Sequence, residues 1–339
     1  MGRFVVRTLL AISVCSAALP STETAWAAPA LPGGTLAFAS DRDSSTAPST
    51  QIYLSGTDGT GLERLTNFPW WAMEPSWSPD GTRIAFAGVR PEAYFKGDFV
   101  PFNGNPHLTA HAHDIYVMNR DGSHLQKLTN RDRENDQYPA WSPDGSTIAF
   151  MRGCDPVNCA PHIALMGSDG SNPVEITHGE GLDFRPTWSP DGSTLAFERD
   201  APDFSHAGVF VVNRDGSGLT KLVGLDTSGL SGLFGEDPVW SPEGNKIAFW
   251  NPTIPALQAV NVATKKVSTI AKAADLGPGP DGLRYASWSP DGRWLAIAAD
   301  GEGSDGAAVY LVSSDGGTIM PMPNAQDASS PAWRPVVGA

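Results

Sequence analysis

Trp141-Ser142-Pro143-Asp144-Gly145 is followed, two residues later, by Ile148-Ala149-Phe150, and this unit recurs along the chain. Pro fixes φ at the first turn position, Asp can bond its own backbone, and Gly accepts the positive φ that a tight turn needs. Each unit therefore predicts a β-hairpin, in which one strand ends in Trp and the next carries Ile-Ala-Phe. Further copies begin at Trp77, Trp188, Trp240 and Trp288, and a degenerate copy is Trp333-Arg334-Pro335.

The spacing of the copies predicts the architecture. The tryptophans lie 64, 47, 52, 48 and 45 residues apart, a period typical of β-propellers. Leu36 begins an Ile-Ala-Phe-type strand with no Trp strand before it, and Trp333 ends a Trp strand with no such strand after it. We therefore expect an all-β, six-bladed propeller over residues 35–335, closed by pairing of the C-terminal strand with the first blade.

The connections between strands are of two kinds. Ser-Pro-Asp-Gly and a second turn, such as Arg120-Asp121-Gly122 or Arg214-Asp215-Gly216, are tight and regular. Because alternate turns of antiparallel strands share one side, both tight turns lie on one face, here called the turn face. The other connections share the opposite loop face and reach about 25 residues, a length at which loops tend to be functional or disordered. We expect function on the loop face.

The first residues have the features of a signal peptide. Arg3 and Arg7 precede an apolar run over residues 8–19, and Ala25-Trp26-Ala27 offers small residues where a signal peptidase reads. We expect cleavage near Ala27, then a leader over residues 28–34, the propeller, and a tail over residues 336–339. No later stretch approaches the about 18 apolar residues of a membrane span. The expected product is a periplasmic or secreted monomer without membrane insertion.

The cysteines indicate a disulfide, and the net charge limits the classes of partner. Cys15 falls in the signal peptide; as a lipid-attachment site it would follow Val14, which is bulkier than usual. Cys154 and Cys159 are close together, and in an exported protein this favours a disulfide. The formal net charge is −14. Such an acidic chain without a basic cluster repels phosphate, so we expect neither nucleic acid nor an anionic membrane surface as a partner.

The repeat, Trp-Ser-Pro-Asp-Gly-x-x-Ile-Ala-Phe followed by Ile-Tyr-Val-Met-Asn-x-Asp-Gly, resembles that of the TolB-like β-propeller repeat family. The resemblance covers residues 35–335 and implies an exported six-bladed propeller that binds a protein partner. TolB itself carries a separate α/β domain before its propeller and belongs to an envelope-spanning system. We expect no such domain here, because only a few residues separate Ala28 from Leu36.

Similar repeats also form the propeller of prolyl-oligopeptidase-type serine peptidases. In those enzymes a hydrolase domain with Gly-x-Ser-x-Gly accompanies the propeller. In this sequence no Ser has Gly two positions away on both sides. We therefore expect no serine peptidase activity.

Charged and tyrosyl residues stand just before the Trp strands, where they should circle the exposed mouth of the central channel. Arg and Tyr are favoured where few residues carry binding, although charges at a channel mouth can also be merely solvated. Trp70 and Trp71 are adjacent in a variable loop, so one of them can be exposed for stacking. The candidate partner-binding residues are Trp70, Trp71, Glu74, Tyr138, Arg185, Glu236, Arg284 and Tyr285.

Two functions follow from these residues. The first is a non-catalytic binding or scaffold protein, without a cofactor, for a protein or cell-envelope glycan partner. The second uses His111 and His113, which alternation places on one side of a strand, together with His162 near the same rim. Imidazoles in this arrangement can share a divalent metal. Some propeller-fold polysaccharide lyases work in this way, so the alternative is a metal-assisted lyase or hydrolase.

Overall fold

The computed structural model describes residues 31–43, 50–67, 71–89, 101–102, 105–109, 113–130, 134–154, 160–228, 237–276, 283–299 and 307–336. The expected signal peptide, Cys15, Trp70, His111, Cys159 and Glu236 lie outside these residues, so the predictions that concern them stay predictions. Residues 32–339 form one compact unit. Apart from one short 3-10 turn, the regular secondary structure of the described residues consists of β-strands, numbered here in chain order.

Six four-stranded antiparallel sheets form the six blades, as the sequence predicts. Blade 1 contains β1 (Thr35–Ser40), β2 (Gln51–Gly56), β3 (Glu63–Arg64) and β26 (Ala328–Trp333). Blade 2 contains β4 (Ala72–Trp77), β5 (Arg83–Val89), β8 (His113–Asn119) and β9 (Gln126–Lys127). Between β5 and β8, β6 (Pro101–Phe102) and β7 (Asn105–Thr109) pair as a separate hairpin.

The other four blades follow in chain order. Blade 3 contains β10 (Glu134–Trp141), β11 (Thr147–Cys154), β12 (His162–Gly167) and β13 (Val174–Glu175). Blade 4 contains β14 (Leu182–Trp188), β15 (Thr194–Asp200), β16 (His206–Asn213) and β17 (Thr220–Asp226). Blade 5 contains β18 (Val239–Trp240), β19 (Lys246–Asn251), β20 (Ala256–Asn261) and β21 (Val267–Lys272), with a 3-10 turn at Ala273–Leu276. Blade 6 contains β22 (Leu283–Trp288), β23 (Trp294–Ala299), β24 (Ala308–Ser313) and β25 (Ile319–Gln326).

The two ends of the described chain meet in blade 1. β26 pairs antiparallel with β1, with Leu36 opposite Trp333 and Ser40 opposite Ala328. β26 therefore supplies the innermost strand that blade 1 lacks at the start of the chain. This confirms closure by the C-terminal strand.

The repeat supplies both the core and the contacts between blades. Phe38, Phe86, Phe150, Phe197 and Phe249, one from each of blades 1 to 5, are completely buried. The Trp that ends each innermost strand is also buried. Three of these indoles donate a hydrogen bond to a carbonyl oxygen of the preceding blade: Trp77 to Ala332 (3.1 Å), Trp188 to Ala140 (3.1 Å) and Trp288 to Val239 (3.2 Å). Each such tryptophan thus joins two blades.

Gly316 tests how tightly the turn face packs against the neighbouring blade. Its φ is +75°, and an added Cβ would overlap the carbonyl oxygen of Ile270. Gly61 has a similar φ of +64°, but an added Cβ there meets nothing within 4 Å. We expect Gly61→Ala to lower the free energy of unfolding by about 1 kcal/mol, from left-handed strain alone, and Gly316→Ala by roughly 2–4 kcal/mol. Urea unfolding measures the free energy of unfolding of both variants. An equal decrease in the two variants would show that the contact between Gly316 and Ile270 is loose.

Candidate functional site

One position in each blade, three residues before the Trp, has a left-handed backbone although no glycine stands there. The six residues, here called the mouth ring, are Glu74 (φ 57°), Tyr138 (54°), Arg185 (53°), Asp237 (43°), Tyr285 (55°) and Ser330 (50°). Positive φ is uncommon for such residues. In every blade except blade 5 the pairing of the innermost strand shifts register at this position. These bulges re-aim the ring side chains out of the sheet pattern.

The mouth ring surrounds a central cavity of about 280 Å³. The residues that follow the ring also line it, including Pro75, Pro139 and Pro331, as do Trp77 and Trp333. The structure therefore brings together four of the predicted site residues, Glu74, Tyr138, Arg185 and Tyr285. It adds Asp237 and Ser330, which the predicted set does not contain.

Two predicted residues lie apart from this cavity. Arg284 is not among the residues that line the cavity; it lines a small neighbouring pocket, which shares Asp237 and Tyr285 with the cavity. Trp71 immediately precedes β4 and is half-buried, and it is not among the residues that line the central cavity. Of the six candidate residues that the structure describes, four therefore line the central cavity.

Arg185 is the one cationic residue among the six of the mouth ring. Its Nη1 donates to Glu198 Oε2 at 3.0 Å, and its Nε forms an ion pair with Asp237 Oδ1. The guanidinium carbon lies 4.7 Å from the ring centre of Tyr138 and 5.5 Å from that of Tyr285. Only 15% of the side chain is exposed. The expectation of an exposed arginine at the mouth is therefore wrong, because the bulge turns the side chain inward onto buried carboxylates.

The two acids of the ring bind the backbone of the next blade. Glu74 Oε2 accepts a hydrogen bond from the Tyr138 N–H at 2.8 Å, and Asp237 Oδ2 accepts one from the Tyr285 N–H at 3.0 Å. Glu74 is 8% exposed. Burial raises the pKa of Glu74 to about 7, although the hydrogen bond from Tyr138 and the charge of Arg185 oppose the rise. Within the described part of the chain, Glu74 forms no ion pair within 4 Å.

A further acid lies behind Arg185. Asp200 is 3% exposed, and burial together with the nearby Glu198 carboxylate holds its pKa well above the ordinary value. The carboxylates in contact with Arg185 are those of Glu198 and Asp237.

The candidate metal-binding histidines have separate surroundings. His113 is buried in β8, with Nδ1 3.0 Å from Asn135 Oδ1 and 2.8 Å from Gln137 Nε2. His162 Nδ1 lies 3.6 Å from Asp183 Oδ2, and its ring is near that of His178. Among the residues that the structure describes, no group of three or more His, Cys, Asp or Glu side chains is arranged to hold a metal ion. A metal site that includes His111 stays a prediction.

Comparison with known proteins assigns the family. The family model for the TolB beta propeller domain matches residues 157–337, more than half of the chain. The chain therefore belongs to the TolB β-propeller family. The structure of TolB from Acinetobacter baumannii is similar, with a TM-score of 0.67 and 20% identity, over 90% of this chain and 68% of that chain.

Two other similarities come from proteins with different names. An oligogalacturonate lyase in complex with manganese has a TM-score of 0.52 and 14% identity, over 78% of this chain and 71% of that chain. The uncharacterized peptidase YuxL of Bacillus subtilis is 30% identical over 148 residues, 38% of this chain and 21% of the peptidase. The first curated relatives are matched over 21% to 60% of their own lengths. No helix in the described residues is long and apolar enough to cross a membrane.

Proposed function

We propose that this chain is an exported, non-catalytic binding or scaffold protein that takes a protein or cell-envelope glycan partner at the mouth of its channel. The mouth ring is the observation that carries the proposal. On the turn face, five copies of the repeat have Ser-Pro followed by an acid and Gly. At the ring position, the six copies have Glu, Tyr, Arg, Asp, Tyr and Ser. The residue types vary where they line a cavity and stay the same where they only turn the chain.

The left-handed backbone of the mouth ring does not explain which residue types stand there, because glycine would adopt that conformation at a lower cost. A left-handed conformation costs on the order of 1–3 kcal/mol at a residue other than glycine, and such strain clusters at functional sites. All six residues of the mouth ring have this conformation, and they surround one cavity of about 280 Å³. Tyr, Arg and carboxylate groups in a cavity of this size suit recognition of a polar partner. Membership of the TolB β-propeller family supports a protein-binding role and export.

Removal of the two ring tyrosines tests the proposal. Tagged wild-type protein should capture a partner from its native culture, and we expect Tyr138→Ala with Tyr285→Ala to weaken that capture at least about tenfold, because aromatic groups at the centre of a site carry most of its binding. The matched control is Asp121→Asn with Asp215→Asn on the turn face, which should leave capture unchanged. Loss of capture only in the control would place the site on the turn face and contradict the proposal.

The competing proposal is the metal-assisted lyase or hydrolase that uses His111, His113 and His162. Metal analysis of the purified protein, followed by screening on polysaccharides with and without a chelator, separates the two proposals. Activity that a chelator abolishes would favour the enzyme.

A further inference from the structure

We propose that the central cavity binds one organic cation, the ammonium or guanidinium group of a Lys or Arg side chain of a protein partner, against the carboxylate of Glu74. This inference rests on the proposed function and narrows it, since it selects a protein with a basic side chain over a glycan.

The charges around the cavity favour a cation. Three carboxylates, those of Glu74, Glu198 and Asp237, lie around the guanidinium of Arg185. Glu198 and Asp237 already more than neutralise the charge of Arg185. Glu74, Arg185, Asp237 and the two tyrosines act on one another here, and the Arg284 guanidinium also acts on Tyr285. With Glu74 ionised, the three carboxylates still outnumber the guanidinium groups of Arg185 and Arg284, so an incoming anion is repelled and a cation is attracted.

Within the part of the chain that the structure describes, Glu74 is the charged ring residue that forms no ion pair within 4 Å. A buried carboxylate without a cation is unfavourable, and it takes up either a proton or a positive ligand. Its pKa of about 7 shows that the proton is only weakly held near neutral pH. A ligand cation beside Glu74 would replace that proton.

The shape of the cavity places the cation next to blade 1. Arg185, from blade 4, reaches toward the centre and lies over the rings of Tyr138 and Tyr285. Opposite it, blade 1 contributes Ser330, the smallest residue of the mouth ring. Glu74 of blade 2 and Tyr285 of blade 6 flank this open side, because blade 1 lies between their blades.

The walls suit an alkyl-linked cation rather than a bare metal ion. Pro75, Pro331 and Trp333 offer apolar surface for a methylene chain, and a tyrosine ring beside the charge adds cation–π attraction. The two tyrosines already lie against a guanidinium, that of Arg185. In the described part of the chain no set of three acids or histidines converges as a metal site.

The test uses small probes on the purified protein. N-acetyl-lysine amide and N-acetyl-arginine amide are titrated by NMR at low ionic strength, with N-acetyl-Nε-acetyl-lysine amide as the neutral control. We expect the cationic probes to bind and to shift the resonances of mouth-ring residues, and the acetylated probe to bind at least about tenfold more weakly. From pH 8 to pH 6 the affinity of the cationic probes should fall about tenfold, because Glu74 with a pKa near 7 becomes protonated.

Two variants make the test specific. Glu74→Gln keeps an oxygen that can accept from the Tyr138 N–H, so the fold should persist while cation binding falls at least about tenfold and loses its pH dependence. Glu63→Gln, on the exposed strand β3, removes one negative charge far from the cavity. This variant should change neither the affinity for the cationic probes nor its pH dependence.

Other results would overturn the inference. Equal binding of the acetylated probe, or unchanged binding by Glu74→Gln, would show that charge at Glu74 is not recognised. Stoichiometric Ca²⁺ binding lost in Glu74→Gln, without binding of either amine probe, would make the site one for a metal ion. If partner capture depends on Tyr138 and Tyr285 but neither probe competes with it, the proposed function stands and the cation inference fails.

Discussion

A chain that ends after Asp327 is expected to unfold, or to lose most of its free energy of unfolding. The deletion removes β26, so blade 1 loses its innermost strand and β1 gains an exposed edge. Trp333, 6% exposed in the whole protein, leaves the core, and loss of a buried Trp side chain alone costs about 3–5 kcal/mol. Trp77 also loses the carbonyl of Ala332 that accepts its indole N–H. Because whole domains are stable by only about 5–15 kcal/mol, this loss is decisive.

Urea unfolding and size-exclusion chromatography measure the effect, with aggregation expected from the open edges. The matched control is a chain that ends after Pro335, which keeps β26 and removes Val336, a residue that is 67% exposed. That control should unfold at the same urea concentration as the full chain. A β26 deletion as stable as the full chain would contradict closure of the ring by this strand.

The fold was predictable because its signals are local. Ser-Pro-Asp-Gly defines a hairpin through the conformations that Pro, Asp and Gly favour, whatever lies elsewhere in the chain. In the structure Asp144 accepts hydrogen bonds from Ser142 Oγ at 2.5 Å and from the Ser146 N–H at 2.9 Å, which is turn chemistry within five residues. Strand count and closure then follow from repetition. The missing Trp strand before Leu36 is as informative as the strands that are present.

The candidate site was predictable only in outline. A position just before each Trp strand identifies which residues lie near the channel, but the direction of each side chain depends on the bulge, which simple alternation does not reveal. Tyr285 therefore lines the cavity, whereas its neighbour Arg284 lines only the smaller pocket beside it. A signal was available in five of the blades, since Pro follows the ring residue, as in Arg185-Pro186 and Ser330-Pro331. Burial of Arg185 could not be read from sequence, because Glu198 reaches it from a different strand.

Arg185→Ala is expected to lower the free energy of unfolding by about 3–5 kcal/mol near pH 7, because it leaves two buried carboxylates without their cation. Glu198 contacts Arg185 Nη1 at 3.0 Å, and Asp237 pairs with its Nε. Neither acid has more than a few per cent of its side chain exposed, so water cannot replace the guanidinium. The sequence alone predicts an exposed residue at the channel mouth, and replacement of an exposed residue changes the free energy of unfolding by only about 0.5 kcal/mol.

Arg214 offers a matched control on the turn face. Its Nη1 lies 3.3 Å from Asp144 Oδ2, and its guanidinium lies over the Trp188 ring, but the two charged side chains are 40% and 54% exposed. An exposed pair contributes about 0–1 kcal/mol, so Arg214→Ala should unfold at nearly the wild-type urea concentration. Both variants remove one arginine from an ion pair over an aromatic ring, and they differ in burial.

A second substitution separates the loss of charge pairing from the loss of packing. In Arg185→Ala with Asp237→Asn, one uncompensated carboxylate is gone, so we expect the double variant to recover part of the stability that Arg185→Ala loses, with a coupling of about 1–3 kcal/mol. A double variant that is less stable by the sum of the two single effects would show that Arg185 acts through packing alone. Because Arg185 supports the fold, loss of partner capture in Arg185→Ala would not identify a binding contact. The ring tyrosines and Glu74 are the positions that distinguish recognition from stability.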